Sequence, residues 1–370
     1  MDEIVRCLKK SLTEVIRDSS KVFIVGHNEP DFDSIGSAIG LLTLCRLHGR
    51  KAYIVVNDAD MHLEPGVKEI IARNRKAFNI IDMNTFKELV NNNSSVIITD
   101  TNKDYLVSIR EYLPSFKHRL IVDHHAPDEH TIDAEYSFIN PKVSSASEMV
   151  AEVLNSYRYR YDPMVANCLL AGIELDTNHY QNNTTDKTHD VAENLIKRGA
   201  DPKVVAKLFK TEFETDRRIN NLVFNGTLFE KYEREIFQTR HVSFTVNRDN
   251  PTTIYQKEDL AKAADRMTDY NMDATFAIGF VKEGLVSISA RSKSDINVGS
   301  IMSQLGGGGN GISAACKIET DDILAVEEKL KDIVSKSIQA QQSDGITGIA
   351  IAPTIIDESI QEKPFVKMKA

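Results

Sequence analysis

Short apolar runs alternate with helix-like segments over about the first 125 residues, and this alternation most constrains the fold. Four runs have the length and composition of buried strands, at 21–25, 52–56, 95–99 and 119–122. Segments with helical spacing of apolar residues lie between them, near 34–48, 65–74 and 84–91. Apolar strands separated by helices are typical of a parallel sheet covered by helices on both faces. The sequence therefore predicts an α/β, Rossmann-like first domain, and such sheets bind ligands at the carboxyl ends of their strands.

The remainder of the chain indicates a second, smaller α/β domain. From about residue 144 the pattern is mostly helical, and we interpret the charged stretch 213–236 as a link between the two domains. Strand signals return at 240–246, 274–281 and 285–290, with helices near 256–269 and 321–338. We therefore expect a metal-binding domain with its helical linker over 1–232, a substrate-binding domain over 238–342, and a tail of uncertain order over 343–370.

Composition restricts the class of protein. In 370 residues no apolar run reaches the ~18 residues that a membrane span requires, and no signal-peptide pattern opens the chain. The four cysteines form no Cys-x-x-Cys pair, which is typical of reduced thiols in a cytoplasmic protein. A net charge of −9 disfavours a groove for long duplex nucleic acid. We expect a cytoplasmic protein, or the cytoplasmic module of a membrane-anchored protein if the chain is a fragment.

Acidic and imidazole side chains follow the ends of the apolar elements. They are His27, Asp31, Asp33, Asp100, His124 and Asp176. A single aspartate in such a place is usually a helix cap or a turn residue, and a single histidine is usually a core residue. Four such segments at successive strand ends are better explained by convergence on one edge of the sheet. Six ligands of this kind can hold two divalent cations with one carboxylate between them, which suits in-line displacement at phosphorus.

Four segments resemble the motifs of the DHH phosphoesterase family in their order and spacing. They read GHNEPDFDSIGSAIG from Gly26, TDTN from Thr99, VDHH from Val122 and GIELDTN from Gly172. The resemblance implies two manganese ions with Asp100 as the ligand that bridges them. The other ligands that it implies are His27 and Asp31 for one ion, and Asp33, His124 and Asp176 for the second.

The same resemblance assigns roles to the tripeptide Asp123-His124-His125, from which the family takes its name. It implies that Asp123 orients His124 without binding metal itself. It also implies that His125 donates a hydrogen bond to a substrate phosphate, and a structural role for His125 is the open alternative. Asp100, His124 and His125 are therefore the predicted catalytic residues.

A glycine-rich segment and an arginine mark the second domain. Residues 306–311 read GGGGNG, and Arg291 follows the strand signal at 285–290. Backbone N–H groups in such a loop and a guanidinium can both bind a phosphate, while a flexible connector with a surface arginine is the alternative. The pair resembles the substrate-binding domain of one branch of the DHH family. Many members of that branch have histidine at the position of Asn310, and an asparagine side chain cannot donate a proton as imidazolium does. The predicted substrate-binding residues are Arg291, Ser292, Gly307, Gly308, Gly309 and Asn310.

Longer stretches resemble the catalytic module of cyclic di-AMP phosphodiesterases, namely residues 18–40, 176–185 followed by 193–205, and 289–299. The resemblance implies a manganese-dependent phosphodiesterase that hydrolyses cyclic di-AMP to 5′-pApA, and further to AMP, by activating water with two metal ions. The alternatives are a nanoRNase or 3′-phosphoadenosine 5′-phosphate phosphatase that acts on short linear substrates, and a non-catalytic nucleotide sensor. We also expect a homodimer, with a groove between the domains that holds a cyclic or short linear dinucleotide.

Overall fold

The computed structural model describes residues 3–57, 63–157, 159–210, 213–234, 238–344 and 365–368. These residues form two compact units, one that ends at Lys210 and includes 365–368, and one that starts at Phe213. Within the described ranges no helix combines the length and the apolar character that are needed to cross a membrane.

The first unit is built on a sheet of six parallel strands. They are β1 (Lys21–Val25), β2 (Ala52–Val55), β3 (Ile80–Ile81), β4 (Ser94–Thr99), β5 (Arg119–Asp123) and β6 (Tyr136–Ile139). Their order is β6-β5-β4-β1-β2-β3, and the short strand Phe365–Met368 lies antiparallel to β6. The order changes direction between β1 and β4, and sheets of this kind bind ligands at that point. The predicted parallel-sheet fold is confirmed.

Helices cover both faces of this sheet because both faces of its strands are apolar. Val22 and Ile24 of β1 pack into one hydrophobic cluster, and Phe23 and Val25 pack into a second cluster on the opposite face. The helices are α1 (Glu3–Arg17), α2 (Phe32–Leu47), α3 (Pro65–Asn74), α4 (Met83–Leu89), α5 (Ala146–Asn155), α6 (Pro163–Asp176), α7 (Asp186–Lys197) and α8 (Pro202–Leu208). Two short 3-10 helices, Asp104–Leu106 and Arg110–Ser115, lie between β4 and β5.

The second unit is built on a mixed sheet. Its strands are β7 (Thr227–Arg234), β8 (Gln238–Val246), β9 (Ala274–Lys282), β10 (Leu285–Ser292), β11 (Gly308–Gly309) and β12 (Ser313–Glu319), in the order β11-β12-β10-β9-β8-β7. The pair β8 and β9 is parallel, and the other neighbouring pairs are antiparallel. The helices of this unit are α9 (Phe213–Gly226), α10 (Lys257–Met267), α11 (Val298–Ser303) and α12 (Ile323–Asp344).

The charged stretch 213–236 differs from the predicted link. Within it, α9 and β7 belong to the second unit, and β7 is an edge strand of its sheet. Glu230 of β7 pairs with Lys331 of α12 at 3.2 Å, and Tyr232 packs against the core. A charged sequence forms a strand here because one face of β7 is covered by α12. Of the predicted tail, α12 continues to Asp344 and Phe365–Met368 is a strand, while 345–364 and 369–370 lie outside the described residues.

Candidate metal centre

The first predicted ligands lie where β1 ends and α2 begins. His27 is the second residue after β1, and Asp31 is the N-cap of α2. Asp31 Oδ1 accepts hydrogen bonds from the backbone N–H groups of Asp33 and Ser34, at 2.9 and 3.0 Å. Its other oxygen, Oδ2, lies 3.6 Å from His27 Nε2. Asp31 therefore caps the helix with one oxygen and keeps the second oxygen near the imidazole.

Asp33, in the first turn of α2, is fully buried and is positioned by two other helices. Its Oδ2 and Oδ1 accept hydrogen bonds from the backbone N–H groups of Ala146 and Ser147, at 2.8 and 2.7 Å, at the start of α5. The N-terminus of a helix favours such a carboxylate. On α6, a Cβ at Gly172 would lie 2.9 Å from Asp33 Oδ1 and 2.3 Å from Ser147 Oγ. Gly172 therefore allows the close helix packing that surrounds the Asp33 carboxylate.

Asp100 lies at the centre of the candidate site. It follows β4 directly with a left-handed φ of 56°, which aspartate adopts more readily than most residues. Its N–H donates to the carbonyl oxygen of Val122 in β5 at 3.0 Å. Its buried carboxylate lies between two imidazoles, with Oδ2 3.3 Å from His27 Nε2 and Oδ1 3.5 Å from His124 Nε2.

The structure brings the six predicted ligands together in two groups that share Asp100. Within each group the potential ligand atoms lie within 4.8 Å of one another. Asp176 comes from the end of α6 and not from a strand end, and its Oδ2 lies 3.1 Å from His124 Nε2. The assignment of these residues to individual ions stays a prediction. The two groups are His27 with Asp31 and Asp100, and Asp33 with Asp100, His124 and Asp176.

The donor set fits divalent cations. Oδ2 of Asp100 and Oδ2 of Asp176 are buried and accept no hydrogen bond of acceptable geometry from the described residues, although an imidazole nitrogen lies near each. Buried carboxylate oxygens need a partner, and a cation supplies one. Carboxylate oxygen combined with imidazole nitrogen, without thiolate, is compatible with a first-row metal such as Mn²⁺.

The shifted pKa values of the site also indicate that its carboxylates need a positively charged partner. Burial, with the charges of Asp100 and Asp176, raises the pKa of Asp33 well above its usual value. Burial also raises the pKa of Asp176 to about 6. Burial lowers the pKa of His27, but the carboxylates of Asp100 and Asp31 outweigh this effect and raise that pKa to about 10. Because a metal ligand must give up its proton, cation binding here is linked to proton release.

The loop after β5 is held by Asp123 and by Asn102, a residue without a predicted role. Asp123 Oδ1 accepts hydrogen bonds from the backbone N–H of His124 at 2.8 Å and from His125 Nδ1 at 2.9 Å. Asp123 Oδ2 accepts one from Asn102 Nδ2 at 2.6 Å, and the same amide donates to the His125 carbonyl oxygen at 2.9 Å. Asp123 therefore orients the His124 backbone and the His125 ring. The signal for Asn102 was its place in TDTN, two residues after Asp100.

In the second unit, Arg291 and the glycine-rich segment line one cleft of about 690 Å³. Arg291 Nε and Nη2 donate to the carboxylate of Asp265 on α10, at 2.6 and 3.2 Å. A Cβ at Gly307 or Gly309 would lie no more than 2.4 Å from an atom of β12, so packing requires both glycines. A Cβ at Gly308 would meet no atom of the described residues within 4 Å. The same is true of Gly306, so Gly306 and Gly308 both leave open space in the cleft, and of the two only Gly306 has a left-handed φ, of 79°.

Two predicted substrate-binding residues form hydrogen bonds to nearby backbone groups. Ser292 is buried, and its hydroxyl donates to the carbonyl oxygen of Asp273 at 3.2 Å. Asn310 Oδ1 accepts hydrogen bonds from the backbone N–H groups of Ile312 and Ser313, at 3.0 and 2.8 Å. Neither residue lines the cleft of Arg291. Short polar side chains bond to the local backbone as readily as to a ligand, and both side chains stabilise turns here.

The fold and the site define an α/β protein in which histidines and aspartates that could hold metal ions meet at the switch point of a parallel sheet. A mixed-sheet domain with a basic cleft follows in the sequence. Residues 21–173 match the DHH family, N-terminal domain, and residues 244–342 match the DHHA1 domain. The chain belongs to the DHH family, and the family predicted from its motifs is confirmed.

The chain is similar to curated proteins in sequence and to a solved structure in fold. The chain is 31% identical over 337 residues to the cyclic-di-AMP phosphodiesterase GdpP of Geobacillus thermodenitrificans, covering 89% of this chain and 49% of that protein. It is 30% identical over 338 residues to the cyclic-di-AMP phosphodiesterase PdeA of Listeria monocytogenes, covering 88% and 49%. The chain thus spans about half the length of these relatives. An exopolyphosphatase-related protein from Bacteroides fragilis has the same fold, with a TM-score of 0.71 at 16% identity over 91% of this chain and 97% of that one.

Proposed function

We propose that the chain is a manganese-dependent phosphodiesterase that hydrolyses cyclic di-AMP to linear 5′-pApA and then to AMP. One observation carries the proposal: two groups of carboxylates and imidazoles meet at the carboxyl edge of the sheet and share Asp100. The similarity to curated cyclic-di-AMP phosphodiesterases supports the choice of substrate. The homodimer and the cytoplasmic location stay predictions.

Two Mn²⁺ ions are the proposed cofactor. When bound, such a pair lowers the pKa of water and withdraws negative charge from the phosphoryl oxygens. The protein holds the ligand positions in place, because the α5 N-terminus binds Asp33 and the turn after β4 directs Asp100 between two imidazoles. The proposed ligands are His27 and Asp31 for one ion, Asp33, His124 and Asp176 for the other, and Asp100 for both.

His125 is the side chain that we propose to act on the substrate phosphate. Its Nδ1 donates to Asp123 Oδ1, which fixes the ring and leaves Nε2 for a ligand. Burial lowers the pKa of His125, but its bond to Asp123 outweighs burial and raises the pKa above the usual value. The side chain is 55% exposed, so a substrate can reach it. A protonated Nε2 donates to a phosphate oxygen and stabilises the negative charge that develops there.

The cleft of the second unit is the proposed nucleotide-binding site. Arg291 supplies a guanidinium for a phosphate, and the backbone at Gly308 supplies an open surface for a base. We propose no direct substrate contact for Ser292 or Asn310, because both side chains bond to the local backbone.

Product analysis tests this function. The full chain is incubated with Mn²⁺ and with cyclic di-AMP, pApA, short RNA or 3′-phosphoadenosine 5′-phosphate, and the products are separated by chromatography. We expect cyclic di-AMP to be converted to pApA and AMP, and we expect Asp100→Asn to abolish turnover. Cleavage restricted to short RNA or 3′-phosphoadenosine 5′-phosphate would replace the proposal with the nanoRNase or phosphatase alternative. Binding of cyclic di-AMP without turnover would replace it with the sensor.

A further inference from the structure

The cleft of the second unit has a floor formed by β10 and β12. Directly opposed residues of two antiparallel strands, and every second residue along each strand, point to the same face of a sheet. Arg291 and Lys317 therefore lie at the two ends of the floor, about 14 Å apart along the strands, because four residues separate them in register. The opposed pairs that line the cleft are Arg291 with Ser313, Ser289 with Ala315, and Ser287 with Lys317.

Two of the three cationic side chains that line this cleft are paired with acids. Arg291 forms its two hydrogen bonds with the Asp265 carboxylate, and Lys257 Nζ lies 3.7 Å from Glu258 Oε1. Lys317 is exposed, and its ammonium group contacts no acid and no hydrogen-bond acceptor among the described residues. Lys317 is thus the uncompensated cation of the cleft in the part of the chain that the structure describes.

The backbone of Arg291 lies at one end of the floor, but its guanidinium group reaches back to the middle of the floor. Its Nη1 donates to Ser289 Oγ at 3.2 Å and to the carbonyl oxygen of Ala290 at 3.0 Å. Ser289 is two residues from Ser287, which is opposed to Lys317, so roughly 7 Å along the strands separates their positions. The flexible four-carbon stem of lysine spans such a distance, so one phosphate can contact both cations.

We propose that Lys317 binds the terminal 5′-phosphate of a linear dinucleotide together with Arg291. This inference rests on the proposed function. A terminal phosphate carries roughly −1.5 to −2 charges at pH 7, whereas an internal diester carries about one. Because Asp265 already neutralises Arg291, the additional charge of a terminal phosphate requires a further cation, and Lys317 supplies it. The cleft then favours pApA, the linear product of ring opening, over ApA, which lacks the terminal phosphate.

Inhibition by linear dinucleotides tests this role. Initial rates of cyclic di-AMP hydrolysis by the Mn²⁺-loaded full chain give the inhibition constants of pApA and of ApA. We expect Lys317→Gln to raise the constant for pApA by roughly threefold to tenfold, the effect of losing one partly exposed charged contact. The constant for ApA should stay within about twofold, because ApA lacks the terminal phosphate. Lys282→Gln, at an exposed lysine of the same sheet outside the cleft, is the matched control and should change none of these values.

The outcomes separate this inference from the proposed function. The role of Lys317 is overturned if Lys317→Gln leaves the inhibition constant of pApA unchanged. It is also overturned if the inhibition constant of ApA rises by the same factor. If Arg291→Gln weakens inhibition by pApA and Lys317→Gln does not, the cleft still binds nucleotide, but the role proposed for Lys317 is wrong. If the wild-type chain does not hydrolyse cyclic di-AMP, the proposed function fails, and the inference fails with it.

Discussion

Replacing Asp100 by asparagine separates the metal centre from the rest of the fold. Asparagine also tolerates the left-handed φ of 56° at this position, so the change removes a charge and preserves the shape. Burial alone would raise the pKa of Asp100, but His124 and His27 outweigh it and lower that pKa. A carboxylate with a lowered pKa stabilises the native state above its unfolded pKa and loses this contribution as the pH falls. At pH 7, Asp100→Asn should therefore destabilise the metal-free protein by about 1–3 kcal/mol.

The decisive effect is on stabilisation by metal. Mn²⁺ at 100 times its dissociation constant stabilises a native state by about 2.7 kcal/mol. For a unit of about 200 residues, this corresponds to a rise in Tm of roughly 5–11 °C. We expect the wild-type chain to show this rise and Asp100→Asn to lose it, because both ligand groups contain Asp100. Thermal unfolding followed by circular dichroism, with and without MnCl2, measures the difference.

Asp82→Ala is the matched control for loss of an aspartate elsewhere in the first unit. Asp82 Oδ1 accepts a hydrogen bond from the backbone N–H of Thr85 at 2.8 Å and caps α4. Its removal should cost about 1 kcal/mol and leave the full Mn²⁺-dependent rise in Tm. If Asp100→Asn also kept the full rise, Asp100 would not be a shared ligand and the two-group site would be wrong.

Three further substitutions test the helix packing, the cleft and the pH dependence. Gly172→Ala should destabilise the protein by about 1–3 kcal/mol and weaken Mn²⁺ binding in titration calorimetry, because its Cβ would lie 2.9 Å from Asp33 Oδ1. Gly308→Ala should preserve Tm and raise the KM for cyclic di-AMP. Burial lowers the pKa of His118, but two adjacent carboxylates outweigh it and raise that pKa. The stabilisation of the native state by protonated His118 is complete below about pH 6.5 and is lost as the pH rises through the raised pKa. In urea unfolding, His118→Gln should therefore lower the free energy of unfolding more at pH 5.5 than at pH 9.

Each of these substitutions has its own control or contrary outcome. Gly40→Ala brings its Cβ against the side chains of Val150 and Leu169, so it should destabilise the protein and leave Mn²⁺ affinity unchanged. Gly311→Ala makes only ordinary contacts and lies outside the cleft, so it should alter neither Tm nor KM. A stability loss in His118→Gln that is equal at both pH values would show that the two carboxylates do not raise the pKa of His118.

The first sheet could be predicted because its central strands are buried on both faces and form continuous apolar runs. Two of the strands that were not predicted, β12 and β7, lack such runs for physical reasons. In β12, Ala315 and Lys317 are exposed on one face, so only alternate residues are buried and the strand contains a lysine. In β7, the acidic Glu230 lies in the strand because Lys331 on a distant helix pairs with it. A pairing of this kind depends on register between segments about 100 residues apart, which local patterns do not contain.

The candidate metal centre could be predicted for a related reason. In a parallel sheet, residues that follow successive strands meet at one edge, so His27, Asp100 and His124 had to converge once the strands were identified. Asp176 could not be placed by this rule, because it ends a helix. The hydrogen bond of the Ser292 hydroxyl could not be foreseen either, because the fold of the second sheet brings its partner, the carbonyl oxygen of Asp273, to it. Side chains that hold turns and side chains that bind ligands belong to the same residue types.

The dependence of the site on helix packing links its metal affinity to the stability of the fold. Asp33, Asp100 and Asp176 contribute oxygens within 4.8 Å of one another, and burial raises the pKa values of Asp33 and Asp176. Without a cation, folding must hold these acids together against their mutual repulsion, which is possible because α5 binds Asp33 and α6 approaches closely at Gly172. A bound cation removes the repulsion, so substitutions that disturb the contacts of Asp33 with the α5 N-terminus or with Gly172 should reduce metal affinity as well as stability.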